Sequence, residues 1–345
     1  MSPFDHGVFT ISLDFELIWG TVDKAGTAFE QACIIERDQV IDRLLDLFAR
    51  HDISATWCIL GHLFLDRCRA VDGVKHPEIT RPNHNWVSGD WFASDPASDE
   101  QHAPAFYGRS LIQRIRTAKP RQEIGSHSFS HVIFGDPGCS RATADSELRE
   151  CVRLAKEEGI ELRSFAYPRN VVGHLDGLRE HGFVCYRGEE PHWYERRRLP
   201  RPVKRLAHLA DVTMAATPPV VVPERNANGV WNVAGSMIYF PRHGVRKWVP
   251  MSVRVRRAIK GLDRAAAEKK IFHLWFHPTN LAFDPDAMFD GLEQIAMHAS
   301  RLRERGSLQV MTMEEAATAA ERGSRSPLLR SSDAVQNTAD GNENL

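Results

Sequence analysis

Three short stretches carry side chains able to do metal and acid–base chemistry together. His127 and His131 stand four apart in EIGSHSFSH. On a helix that spacing would project both imidazoles from one face, where they can chelate a single ion. In a chain with 16 histidines the spacing alone says little. Its place says more: the pair follows a short strand-like segment, and barrels of parallel strands gather reactive groups at strand carboxyl ends. Asp14 and Glu16 close another such segment, VFTISLDFE. Carboxylates two apart on a strand point to the same side, so one could ligate an ion while the other takes a proton from water. His277 closes a third, HLWFH. Singly, these motifs also fit an acidic strand end, a surface helix and a surface histidine before a helix-starting proline. Jointly, at three strand ends, they are specific.

The elements that must hold these groups alternate along the chain. VFTISLD reads as a strand, ERDQVIDRLLDLFARH as a helix with Val40, Leu44, Leu47 and Phe48 on one face, and ISATWCIL as a second buried strand. That is a β-α-β unit, which implies a parallel pair. A helix from Arg141 to Glu158 ends before Gly159, and HLDGLREH ends before Gly182, both natural stops. The strands LRSFAYP, FVCY, IFHLWF and LQVMT, with helices near 255–269 and 286–305, continue the rhythm. The expected fold is α/β, a barrel or an open doubly wound sheet. No glycine-rich phosphate loop of the GxGxxG or Walker type supports the nucleotide-binding version.

Two segments break the pattern. Residues 70–108, rich in Pro, Asn, Asp, Trp and His, form a loop excursion of the length that tends to be functional. There Trp86, Asp90 and Trp91 could meet a sugar ring, though tryptophans also serve in packing. The second, at about 187–255, opens a stretch (187–270) with 18 Lys/Arg against 7 Asp/Glu. Its run ERRRLPRPVKR could meet phosphates or simply be a solvated face. Residues 323–345 read as a disordered polar tail. One domain over 1–322 is expected. The formal net charge of −1 gives no reason to expect nucleic acid as a partner. No apolar run approaches a membrane span and no leader-like segment opens the chain, so a cytoplasmic location is expected. The six cysteines lack CxxC spacing and read as buried free thiols.

SLDFE, SHSFSH, FAYPRN and LWFH, in that order, resemble the motifs of the polysaccharide deacetylases with a NodB-homology domain, over about 8–313. The resemblance implies a distorted (β/α) barrel, with parallel strands alternating with helices, that removes acetyl groups from sugars with one divalent ion, usually Zn2+. It implies Glu16, His127 and His131 as metal ligands, Asp14 as catalytic base and His277 as general acid. Ser128 would brace the histidine loop, and the backbone N–H of Arg169 would donate to the oxyanion. Two departures stand out. Most of the family has adjacent aspartates, whereas SLDFE resembles the variant whose two acids, here Asp14 and Glu16, are separated by one residue, and the groove arginine that steers the base would fall at Ala166. Arg169 and Arg187 are the candidates to replace it. The expected activity is hydrolysis of a carbon–nitrogen bond in an acetamido sugar, on a nucleotide- or lipid-linked precursor if the protein is cytoplasmic. The alternatives are a cyclic amide or ureide hydrolase on the same barrel and a non-catalytic glycan-binding protein. Oligomeric state is not indicated.

Overall fold

The computed structural model describes residues 2–21, 27–191 and 216–336, with 325–336 as backbone. The basic run at 195–205 and residues 337–345 of the polar tail lie outside the described residues. The elements run β1 (Gly7–Phe15), α1 (Thr27–Ile35), α2 (Ile41–Arg50), β2 (Thr56–Ile59), α3 (Arg109–Thr117), β3 (Glu123–Ser126), α4 (Arg141–Glu157) and β4 (Ser164–Ala166). There follow α5 (Leu175–Glu180), β5 (Cys185–Arg187), β6 (Glu224–Arg225), β7 (Trp231–Asn232), β8 (Met237–Ile238) and α6 (Met251–Glu268). β9 (Ile271–Phe276), α7 (Thr279–Ala282), α8 (Pro285–Glu304), β10 (Leu308–Val310) and α9 (Met313–Gln336) complete the chain. The strands form one curled sheet in the order β6-β7-β5-β4-β3-β2-β1-β9-β8, and every pairing in it is parallel except β6 with β7. β1 is long enough to serve two partners on one edge. Gly7–Phe9 pair with β10, and Ser12–Phe15 pair with β2. This is the expected distorted (β/α) barrel.

Strand parity decides what faces the interior. Phe9, Ile11, Leu13 and Phe15 of β1, with Phe272, Leu274 and Phe276 of β9, pack outward against helical residues such as Leu44, Phe48, Leu262 and Leu292. The alternate residues Val8, Cys58, Ala166, Cys185 and Ile271 form an inner cluster capped by Met313, Ala316, Ala317 and Ala320 of α9. α9 therefore begins as a plug at one end of the barrel, and its backbone runs on to Gln336, into the segment expected to be a polar tail. Towards the other end the interior turns polar, with Thr10, Ser12, Asp14, His273 and Arg187 all buried. The six cysteines are buried and unpaired. No described helix is long and apolar enough to cross a membrane.

Candidate metal centre and active site

The same parity delivers the reactive groups. Asp14 on β1, Arg187 ending β5, His127 just past β3 and His277 just past β9 all continue inward-facing rows at strand carboxyl ends. Glu16 lies beyond β1, two residues on from Asp14, and needs space that an aspartate would not. Gly20 supplies it: a Cβ there would sit 1.7 Å from Glu16 Oε1. With that room Glu16 Oε2 lies 3.0 Å from His127 Nε2 and 3.1 Å from His131 Nε2. All three residues are buried.

The histidine pair is not helical. It lies on a loop after β3, where Ser128 (φ 62°) and His131 (φ 65°) take left-handed backbone. The loop, rather than a helix turn, brings the two rings to centroids 5.2 Å apart. Its brace is also different from that expected. The Ser128 hydroxyl is buried with no hydrogen-bond partner among the described residues. Buried Glu147 of α4 holds the loop instead, its Oε2 accepting from the N–H groups of Phe129 and Ser130 (both 2.8 Å) and its Oε1 from Ser130 Oγ (2.6 Å). Ser128 contributes its carbonyl, which accepts the Gly61 N–H at 2.8 Å.

The donor set fits a divalent ion. His127 Nδ1 lies 2.8 Å from the Ala166 carbonyl, an acceptor only, so Nδ1 carries the proton. In the neutral ring Nε2 is then a lone pair aimed at a carboxylate oxygen. Neither His127 Nε2 nor Glu16 Oε2 makes a directed hydrogen bond to any of the described residues. A cation between them satisfies both, and two imidazoles with one carboxylate are a common open zinc triad. Burial disfavours the Glu16 charge, but His277, His131 and His127 outweigh it and hold the carboxyl well below its usual range. Burial pushes His131 down, whereas at His127 the neighbouring Asp14 and Glu16 carboxylates outweigh burial and push it up.

Asp14 is clamped. Arg187, itself 1% exposed, donates to Asp14 Oδ1 at 2.7 Å and Oδ2 at 2.6 Å, and also to Ser12 Oγ at 3.0 Å and Asn170 Oδ1 at 3.1 Å. The Trp275 ring covers the guanidinium at 4.3 Å. Burial works against the Asp14 charge, but Arg187 prevails and keeps the carboxyl below its usual range. Of the two candidate arginines, Arg187 is therefore the one that reaches Asp14. Arg169 (φ 54°) instead places its guanidinium over the Trp86 ring at 4.8 Å. His277 Nε2 lies 3.4 Å from Glu16 Oε1 and 3.8 Å from Asp14 Oδ2. At 28% side-chain exposure it is the most open of the group.

A cavity of about 260 Å³ opens beside the cluster, lined by Trp19, Trp86, Asp90, Trp91, Ser130, His131 and Arg169. The 70–108 excursion thus folds over the centre. Trp91 is fixed by its indole N–H on Ser130 Oγ at 2.9 Å, and Trp86 by Asp136 at 3.2 Å. Sequence reasoning missed Gly20, Asn170, Glu147 and His273. His273 carries the inward-row signal of β9, two residues before Trp275 and four before His277, and it bonds Ser12 Oγ at 2.8 Å. Burial drives its pKa down to about 3, so it acts as a neutral prop.

No protein-family profile and no curated protein sequence matches the chain. Solved structures do match. One assigned as a polysaccharide deacetylase from Mycobacterium smegmatis superposes with a TM-score of 0.60 at 12% identity, over 92% of each chain. Another so assigned, from Pseudomonas aeruginosa PAO1, gives 0.56 at 12% identity over 91% of each. The Puue allantoinase gives 0.57 at 12% identity, over 90% of this chain and 89% of its own. The fold is that of the NodB-homology polysaccharide deacetylases, a hydrolase fold. An allantoinase shares it, so the fold does not choose the bond that is cut.

Proposed function

We propose that this chain is a metal-dependent hydrolase that removes an acetyl group, from nitrogen, on a carbohydrate. The observation that carries the reading is the placement of Glu16 Oε2 between two imidazole Nε2 atoms, 3.0 and 3.1 Å away, beside an arginine-clamped Asp14. Glu16, His127 and His131 would hold one divalent ion, zinc by donor type. Such an ion, when bound, polarises an acyl carbonyl and eases deprotonation of water.

The chain's own residues supply the rest. Asp14, kept ionised by Arg187, takes a proton from the attacking water. An amine leaves poorly as an anion, and His277, the exposed imidazole across from Asp14, gives it a proton. Arg169 presents its backbone N–H to the developing oxyanion from the cavity wall. Trp86 and Trp91 supply flat apolar faces suited to a sugar ring, beside the polar Asp90 and Ser130. Arg187 does from β5 what the family's groove arginine does from the position held here by Ala166.

Acetate release from N-acetylated mono- and oligosaccharides, free and nucleotide-linked, tests the reading beside ring opening of cyclic ureides. The expected result is acetate release that chelation abolishes, metal restores and Asp14→Asn removes. Turnover of ureides alone would overturn the substrate class. No turnover of either by metal-loaded protein would overturn the hydrolase.

A further inference from the structure

A second constellation lies outside the centre described above and shares no residue with it. His62, Cys68, His76 and Asp95 are all buried, and one donor atom from each lies within 4.8 Å of every other. Asp95 Oδ2 is the hub, 2.8 Å from His76 Nε2 and 3.3 Å from both His62 Nε2 and Cys68 Sγ. We propose that these four side chains form a closed structural zinc site that pins the 70–108 excursion to the barrel.

The inward atoms face one another, with His76 Nε2 and Cys68 Sγ hydrogen-bonded to Asp95 Oδ2, and outer partners hold the side chains in that orientation. His62 Nδ1 lies 3.2 Å from the Phe106 carbonyl, so Nδ1 is protonated and Nε2 faces the cluster. That Nε2 has no hydrogen-bond partner among the described residues, in a residue with 0% exposure. His76 Nδ1 lies 3.2 Å from Glu78 Oε1, a carboxylate–imidazole arrangement common behind metal-bound histidine. Asp95 spends Oδ1 on the Ala97 N–H at 2.8 Å and turns Oδ2 inward. The Tyr107 hydroxyl accepts the Ser98 N–H at 2.9 Å and lies 3.0 Å from Cys68 Sγ. Cys68 Sγ donates its S–H to the Asp95 carboxylate, at 3.4 Å from Oδ1 and 3.3 Å from Oδ2, a proton that ion binding would release.

Charge and geometry both fit. One thiolate and one carboxylate balance a divalent ion, with neutral imidazoles completing four ligands. Bonds of about 2.0–2.3 Å in a tetrahedron put donor atoms about 3.3–3.8 Å apart; here His62 Nε2 and Cys68 Sγ lie 3.3 Å from Asp95 Oδ2, His76 Nε2 lies 2.8 Å from it, and all four atoms fall within 4.8 Å of one another. With all four positions filled by protein the site has no room for substrate, which marks it as structural. The excursion has a need for it. Residues 70–108 contain no helix and only isolated bridges, so few backbone bonds order them. The cluster touches the cavity wall through rings: Trp19 packs tilted against His62 with centroids 4.4 Å apart, and Phe92, next to Trp91, against His76 at 4.7 Å.

Cobalt(II) loading of the full chain tests this, because the Glu16 centre contains no sulfur. Thiolate ligation gives a near-ultraviolet sulfur-to-cobalt charge-transfer band. The band is expected in the natural protein and in His127→Ala/His131→Ala, and is lost in Cys68→Ser. Metal content should fall from about two ions per chain to about one in either variant. The natural protein also tests the site without substitution: Cys68 should resist iodoacetamide when zinc-loaded and react once the metal is stripped. Absence of the band in loaded natural protein, its survival in Cys68→Ser, or equal alkylation of Cys68 with and without zinc would each overturn the site. None of these outcomes depends on the Glu16 centre or on catalysis.

Discussion

Replacing Arg187 by methionine isolates the clamp on the proposed base. Arg187→Met keeps much of the side-chain volume and its contact with Trp275, but removes two hydrogen bonds to Asp14 at 2.6 and 2.7 Å. With charge centres about 4 Å apart and an effective dielectric of about 20, the lost attraction is about 4 kcal/mol. At about 1.4 kcal/mol per pH unit a loss of that size moves the Asp14 pKa upward, with only His127 and His277 left to oppose burial. The sign follows. A base with a raised pKa is protonated over a wider acid range, so the acid limb of kcat/KM moves up with it. Folding responds in the matching sense. In the natural protein the depressed Asp14 pKa contributes stability above its unfolded value, lost as pH falls through the folded one. In the variant that contribution is gone and an unpaired buried carboxylate remains, costing about 3–5 kcal/mol at neutral pH. Adding Asp14→Asn should recover much of it. The assay is a pH–rate profile at saturating metal, with denaturant melts of the single and double variants. An acid limb unmoved in a folded, metal-loaded Arg187→Met protein would refute Asp14 as the base.

Three further expectations follow from the same geometry. Gly20→Ala places a Cβ where the Glu16 carboxylate now sits; metal affinity at that centre should fall about 10–100-fold, with Tm shifted by only a few degrees, as calorimetry and metal titration would show. Glu147→Ala leaves the Phe129 and Ser130 N–H groups unpartnered in the interior, so denaturant unfolding should register a loss of about 2–4 kcal/mol, and Glu147→Gln a smaller one. Burial raises Glu36 to about 8, with Thr279 donating to it. A carboxyl raised on folding adds stability that is complete below its unfolded pKa and lost as pH climbs through about 8. Glu36→Gln should therefore be little different near pH 4 and more stable than the natural chain near pH 9, by on the order of 3–5 kcal/mol. Equal pH slopes in the two proteins would refute the assignment.

Much of the centre could be read from the chain because strands have a period of two. Asp14 with Glu16, and Trp275 with His277, follow from where an apolar run ends, and parity alone turns them inward. What could not be read depends on contacts across the fold. Arg187 reaches Asp14 from a strand 173 residues away in sequence, and nothing local to CYRGEE separates it from an ordinary solvated arginine. Gly20 matters only because Glu16 is one methylene longer than aspartate. The HxxxH spacing suggested a helix, yet two left-handed residues and the Glu147 brace produce the same convergence from a loop. The Cys68 cluster escaped notice for a similar reason. Its ligands fall at 62, 68, 76 and 95, with no regular spacing, and a closed loop brings them together.

The central claim is that Glu16, His127 and His131 hold a divalent ion at the carboxyl end of the barrel. Diffraction from zinc-grown crystals, measured across the zinc absorption edge, tests it most directly. An anomalous peak within about 2.3 Å of Glu16 Oε2 and the Nε2 atoms of both histidines is the predicted result. An empty difference map at that point under full zinc loading, with the three side chains in place, would contradict it.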